Sequence, residues 1–259
     1  MRLDKFLAQS SIGRRRTVRI YVKEGLVKVN GKVVTEPAME IRENTDVIEY
    51  NGKLVTYTEK VYYMFNKPAG CITARKDAVN QTVFDFFDDA DTMGIFHVGR
   101  LDKDTEGLLL LTNDGELEHK LMYPQNHVQK TYFFWALGSL DEVRRKQLEH
   151  GIYIGKDEAQ TKPAKLKIHK YGLFNEFKNE ISCGNLNIKD SGYYNQPVVS
   201  GYLTITEGRK HQVKRMLKAA GCYVIYLKRI SIGGLTLDES LEKGKYRPLT
   251  QAEIQKLFR

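Results

Sequence analysis

Leu3, Phe6 and Leu7 fall at helical spacing, and Val18, Tyr21 and Val22 repeat that spacing after a polar, arginine-rich interval. Apolar residues three and four apart share one helix face, so two short amphipathic helices are predicted, the second ended by Gly25. The period then changes. Val27 and Val29 alternate with lysines, Asn30-Gly31 supplies a hairpin turn before Val33, and Asp46–Tyr50 reads as a further strand. Two helices on a small hairpin sheet make a domain of about fifty residues, small but able to bury a core. Asn51–Lys60 is polar and is expected to be a short linker.

Beyond it the pattern is of longer strands with short helices between them. Tyr62–Lys67 reads as a strand, Asn66–Gly70 as a turn, and Cys71–Thr73 as a resumed strand; Val83, Phe84, Phe86 and Phe87 suggest a short buried helix belonging to the core. Ile95–Val98 ends a strand, and Gly99–Gly107 is a charged turn. Leu108–Thr112 contains four consecutive leucines, the mark of a strand covered on both faces, and Asn113-Asp114-Gly115 ends it. Glu116–Met122 is predicted as a helix, Lys130–Gly138 as a strand and Asp141–His150 as a helix with Leu140 and Leu148 inward. Lys165–Ile168 and Val198–Thr206 read as strands. In Glu207–Gly221, Val213, Met216, Leu217 and Ala220 share one face of a predicted helix, with Lys210, Lys214 and Lys218 on another. Val224–Leu227 and Arg229–Ile232 read as two strands before a bend at Gly233-Gly234, and Thr250 with Glu253 forms a capping box for a helix over Gln251–Phe258. Phe174–Gln196 carries no readable period. These periods support an α+β class.

Charge sharpens the picture. The 259 residues carry a net charge of +9, and hydrophobic residues make up 41%, enough for a real core. Seven basic residues (Arg14, Arg15, Arg16, Arg19, Lys23, Lys28 and Lys32) lie between Arg14 and Lys32, against the single acid Glu24. One-signed charge on one helix and its hairpin is a footprint for phosphates, although a merely solvated face has the same composition. The three cysteines form no C-x-x-C pair, and no H-E-x-x-H, P-loop or G-x-G-x-x-G spacing occurs, so no metal and no cofactor are expected. The charged first residues do not read as a signal peptide, and no apolar run approaches the ~20 residues of a membrane span. The expectation is a cytoplasmic protein with no membrane partner.

The charged turn before the leucines holds the most informative residues. Asp102 lies in a loop clamped between two buried strands, where a rigid scaffold presents a reactive group; by itself it could equally be a turn cap. The longer string G-R-L-D-x-D-T-x-G-L-L-L-L-T-x-D-G resembles the catalytic motif of the pseudouridine synthases, more closely that of the RsuA-type branch, which modifies ribosomal RNA. N-K-P-x-G at Asn66–Gly70 resembles that family's first motif. L-D-K-F-L…G-R-R-R…V-K-E-G-L-V-K-V-N-G-K-V-V resembles an S4 RNA-binding domain, and E-G-R-K-H-Q-V-K-R-M resembles the family's last motif. Glu106 departs from the small or hydroxyl residue that several relatives carry.

The resemblance implies an S4-like domain over residues 1–55 and a catalytic domain over 61–259 built on a mixed, largely antiparallel sheet flanked by helices. It implies Asp102 as the essential carboxylate, acting as nucleophile or as base, Lys214 as its cationic partner, and Tyr132 of K-T-Y as the active-site tyrosine. Arg100, Arg14, Arg15, Arg16, Arg19, Lys28, Arg209, Lys210, His211, Gln212 and Arg215 are the expected RNA contacts. His211-Gln212 and T-K-P-A at Thr161–Ala164 look like the small-subunit branch, which implies a uridine of 16S rRNA in a partly assembled particle as the substrate of a monomeric enzyme. The alternatives are a 23S rRNA synthase, a non-catalytic S4-type assembly factor, and a glycosidase pairing Asp102 with Asp104 or Glu106. That last chemistry needs two carboxylates about 5–9 Å apart across a sugar.

Overall fold

The computed structural model describes residues 1–10, 12–13, 15–43, 45–56, 60–88, 92, 94–181 and 191–258. Arg14 and much of the unreadable stretch, 182–190, lie outside them. The chain divides into two compact units, one of residues 1–61 with 88–96 and 112–114, the other of the remainder.

In the first unit, α1 (Leu3–Gln9) and α2 (Arg15–Lys23) precede β1 (Val27–Val29), β2 (Lys32–Val33), β3 (Ile48–Tyr50) and β4 (Lys53–Leu54), which form a sheet in the order β2-β1-β3-β4. Leu3, Phe6, Leu7, Val18, Val22, Val27 and Val29, singled out by the two hydrophobic periods, make its core with Ile41, Ile48 and Val55. The expected linker begins differently. Asn51-Gly52 takes the same left-handed pair of conformations as Asn30-Gly31 and turns β3 into β4. It is a second Asn-Gly hairpin, and the signal was present in the sequence.

The second unit contains β5 (Tyr62–Lys67), β6 (Phe96–Val98), β7 (Glu106–Thr112), α3 (Gly115–Met122), β8 (Lys130–Leu137), α4 (Glu142–His150), β9 (Lys165–Leu173), α5 (Phe174–Phe177), β10 (Pro197–Ile205), α6 (Gln212–Ala219), β11 (Tyr223–Ile232), β12 (Leu235–Thr236), β13 (Tyr246–Pro248) and α7 (Gln251–Lys256). Nine strands form one sheet in the order β13-β5-β7-β11-β8-β10-β9, with β6 on β7 and β12 on β11. β7 pairs parallel with β11, whereas β8, β9, β10, β12 and β13 pair antiparallel with their neighbours. Every residue of β7 is buried, as its run of leucines requires.

Four expectations change. Cys71–Thr73 is not a strand, and Ile72 makes an isolated bridge with Thr82. Val83–Phe86 is a single 3-10 turn. The two strands expected over 224–232 are one, β11, because bulges at Val224/Tyr226 and Arg229/Ser231 absorb the irregular period. The helix expected from Glu207 starts only at Gln212, since His211 sits in the left-handed region at φ 52°; Lys210 therefore does not share a helical stripe with Lys214 and Lys218.

Candidate active site

Asp102 lies in the loop between β6 and β7, and two side chains from the preceding segment fix that loop. Thr73 Oγ1 donates to the Leu101 carbonyl at 2.8 Å and accepts from the Leu101 N–H at 3.1 Å. Lys67, the lysine of N-K-P-x-G, is wholly buried, and its ammonium donates to the carbonyls of Pro68, Asp102, Lys103 and Thr105 at 3.0–3.3 Å. Burial holds its pKa below the ordinary lysine value. The loop ends at Gly107 (φ 98°), where a Cβ would stand 2.3 Å from the Arg229 carbonyl; only glycine lets β7 approach β11 this closely.

The Asp102 carboxylate is 28% exposed. One oxygen lies 3.4 Å from Lys214 Nζ and the other 3.6 Å from His211 Nε2. Lys214, on the first turn of α6, also forms an ion pair with Asp104. Burial pushes the Asp104 pKa up, but the Lys214 hydrogen bond and charge outweigh it and leave the carboxyl below its ordinary value. Asp102 and Asp104 thus share one ammonium and do not oppose each other across a space for a sugar. Glu106 is buried and taken up by the Tyr226 hydroxyl at 2.9 Å and by Lys243 at 2.7 Å. The paired-carboxylate glycosidase reading has no support from this geometry.

Asp102, Lys214, His211 and Tyr132 line one cavity of about 760 Å³. Tyr132 is on β8 directly opposite Arg229 of β11, and only 8% of it is exposed. Lys130, two residues earlier on the same strand face, and Arg229 also line the cavity. Neither was singled out from the sequence. Lys130 stands in the quoted K-T-Y triplet, but nothing in the pattern marks Arg229 as more than another charged residue of a strand.

The expected RNA contacts of this unit differ in how they are held. Arg100, Arg209, Lys210, His211 and Gln212 line the cavity, with Arg100, Lys210 and His211 exposed. Arg209, Gln212 and Arg215 also have partners within the fold. Arg209 donates to the Gln160 carbonyl at 2.9 Å and pairs with Glu207. Gln212 is buried and donates to Glu207 at 2.7 Å. Arg215 holds Glu158 and the Ile154 carbonyl. These three brace the segment before α6. In the first unit Arg15, Arg16, Arg19 and Lys28 are all exposed. Arg15 and Arg19 also face the buried Asp4, at 3.1 and 3.8 Å. Burial opposes ionisation of Asp4, but its hydrogen bonds from Arg15 and Arg2 leave its pKa lowered.

Known proteins resemble this chain along its whole length. Residues 61–219 match the RNA pseudouridylate synthase family model, and residues 1–47 match the S4 domain. The chain is 42% identical to an uncharacterized RNA pseudouridine synthase of Bacillus subtilis, over 99% of this chain and 98% of the relative. It is 38% identical to the ribosomal small subunit pseudouridine synthase A of Haemophilus influenzae over the whole of both. It is 40% identical to the ribosomal large subunit pseudouridine synthase B of Bacillus subtilis, over 99% and 95%. A crystal structure of a pseudouridylate synthase superposes with a TM-score of 0.65 at 37% identity, over 99% of each chain. With matching motifs, an S4 domain and relatives aligned end to end, the chain belongs to the RNA pseudouridine synthase family.

Proposed function

We propose that this protein isomerises one uridine of 16S rRNA to pseudouridine in a partly assembled small-subunit particle. The observation that carries the isomerase reading is the placement of the Asp102 carboxylate between Lys214 and His211 in a cavity floored by Tyr132. The reaction breaks the bond from ribose C1′ to uracil N1, turns the base and rejoins it through C5. It needs no redox partner and no energy source. Asp102 attacks C1′ as nucleophile or removes a ribose proton as base; both roles need the ionised carboxylate, and Lys214 Nζ lies 3.4 Å from it. Tyr132 packs against the base and takes the C5 proton at the end. The uridine must leave its stack to reach the cavity, at a cost of a few kcal/mol. Phosphate contacts from the exposed Arg16, Arg19 and Lys28 of the S4 domain, with Arg100 and Lys210 beside the cavity, offset that cost.

Two stretches support the small-subunit branch, His211-Gln212 and Thr161–Ala164. They meet at one carboxylate oxygen: Glu207 accepts from Gln212 Nε2 at 2.7 Å and from the Lys162 N–H at 3.0 Å. No base-reading code is visible in the chain, so selection by folded RNA shape favours an assembly intermediate as substrate. The enzyme is proposed to act as a monomer in the cytoplasm; no helix among the described residues is long and apolar enough to cross a membrane. A chemical map of pseudouridines in both ribosomal RNAs from cells lacking the protein tests the assignment. One small-subunit site should disappear. Loss of a large-subunit site with the small subunit unchanged would transfer the enzyme to the sister branch.

A further inference from the structure

Two of the cations that line the cavity have acidic partners: Lys214 has Asp102 and Asp104, and Arg209 has Glu207. Lys130 and Arg229 differ. Arg229 is 2% exposed and Lys130 7%, and among the described residues neither forms an ion pair. Arg229 spends Nε on the Leu108 carbonyl at 2.7 Å, while its Nη2 is buried with no hydrogen-bond partner. Lys130 has one long bond, 3.3 Å, to the Val128 carbonyl. Burial and the adjacent Arg229 charge push its pKa down to about 8, so the two cations repel each other in a desolvated place. A buried donor without an acceptor calls for an explanation, and two unpaired charges in one cavity call for an anion.

We infer that Lys130 and Arg229 receive the negative charge that uracil carries while it is detached from the ribose. The inference rests on the isomerase reading above. When the C1′–N1 bond breaks, its electron pair leaves with the base and spreads over N1, O2 and O4. This holds whether Asp102 bonds to C1′ or takes a ribose proton. Lys130 Nζ and the Arg229 guanidinium donate hydrogen bonds to a carbonyl oxygen of that anion. The pair returns to the sugar when C5 bonds to C1′, which gives a neutral adduct; the C5 proton then leaves while N1 takes up a proton, so the rejoined base ends neutral. Position selects the base over a phosphate. Both cations flank Tyr132 on the buried strands β8 and β11, whereas the exposed Arg100 and Lys210 are better placed for the backbone. Donors fixed in advance where charge develops, away from water, act on the transition state more than on binding.

The test uses ribosomal particles from a strain lacking the protein, one batch grown normally and one with 5-fluorouracil so that the target carries 5-fluorouridine. Base detachment is followed in single turnover with the full-length protein, and RNA affinity is measured separately. Lys130→Met and Arg229→Gln should each slow detachment of uracil by roughly 100-fold or more with RNA affinity nearly unchanged. Fluorine stabilises the base anion by itself, so the deficit should shrink to about tenfold or less on 5-fluorouridine. If Arg229→Gln does not fold, Lys130→Met still decides the matter, because its single weak bond leaves little structure to lose. An equal deficit on both bases would make the pair structural. A loss of affinity with an unchanged rate would make it a phosphate anchor. A wild-type rate in Lys130→Met would remove its role. Any of these overturns the inference, and failure of the wild-type protein to act on any particle would overturn the isomerase reading with it.

Discussion

Lys67 Nζ donates a hydrogen bond to the backbone carbonyl of Asp102 at 3.1 Å, from a side chain with no exposed surface. The lysine sits at the end of β5, 35 residues before the aspartate. It binds three further carbonyls of the same neighbourhood, so a single ammonium sets the path of the loop that aims the carboxylate. Lys67→Met keeps the length of the stem and leaves those carbonyls unsatisfied. A loss of roughly 2–4 kcal/mol in stability is expected, with turnover falling further than the fraction unfolded explains. Thermal melting alongside single-turnover kinetics checks it, and full activity in a folded Lys67→Met protein would show that the loop holds its own shape.

Asp102→Asn should abolish isomerisation while RNA affinity stays within a few-fold, because one carboxylate adds little to binding a polyanion. Tritium release from 5-tritiated uracil in RNA measures the first and filter binding the second. Retained turnover would remove Asp102 from the centre of the mechanism.

Tyr132→Phe keeps the ring and loses the hydroxyl. The packing contact should survive, so RNA binding should hold while the closing proton transfer slows, by about 100-fold or more for a general base. A wild-type rate would return Tyr132 to the role of a core aromatic.

Arg16 and Lys28 are exposed on the S4 domain and form no ion pair among the described residues. If each meets a phosphate, Arg16→Ala and Lys28→Ala should each lower the slope of log affinity against log salt by roughly 0.7–0.9. An unchanged slope would mean that this face is only solvated.

Acid stability has a local source. Arg247 binds Glu253 at 2.7 Å, and that hydrogen bond holds the Glu253 pKa down to about 2 despite burial, helped by Thr250. A carboxyl whose folded pKa is depressed gives stability that is present above its unfolded value of about 4.3 and is lost as pH falls toward 2. Glu253→Gln should therefore be less stable than wild type at pH 7, with the difference closing between pH 5 and pH 2. A constant difference across urea melts in that range would assign the effect to packing.

Local chemistry alone made much of this protein legible. The helical periods of Leu3–Leu7 and Val18–Val22, the Asn30-Gly31 turn and the four leucines of β7 each depend on neighbours in sequence, so each could be read before any tertiary contact was known. The motif around Asp102 and the E-G-R-K-H-Q-V-K-R-M string identified the family for the same reason, being contiguous. Tertiary structure decided what distant residues do to one another. That Lys214 serves Asp104 as well as Asp102, that Arg209 and Arg215 bind carbonyls of Gln160 and Ile154, and that Lys67 clamps a loop 35 residues away are long-range pairings. Arg229 is the sharpest case. In sequence it is one charged residue in a strand; only the packing of β7 and β11 through Gly107 buries it opposite Tyr132 with a nitrogen unpaired. Exposure and partnership belong to the assembled sheet, because a side chain's desolvation depends on strands that arrive from elsewhere in the chain.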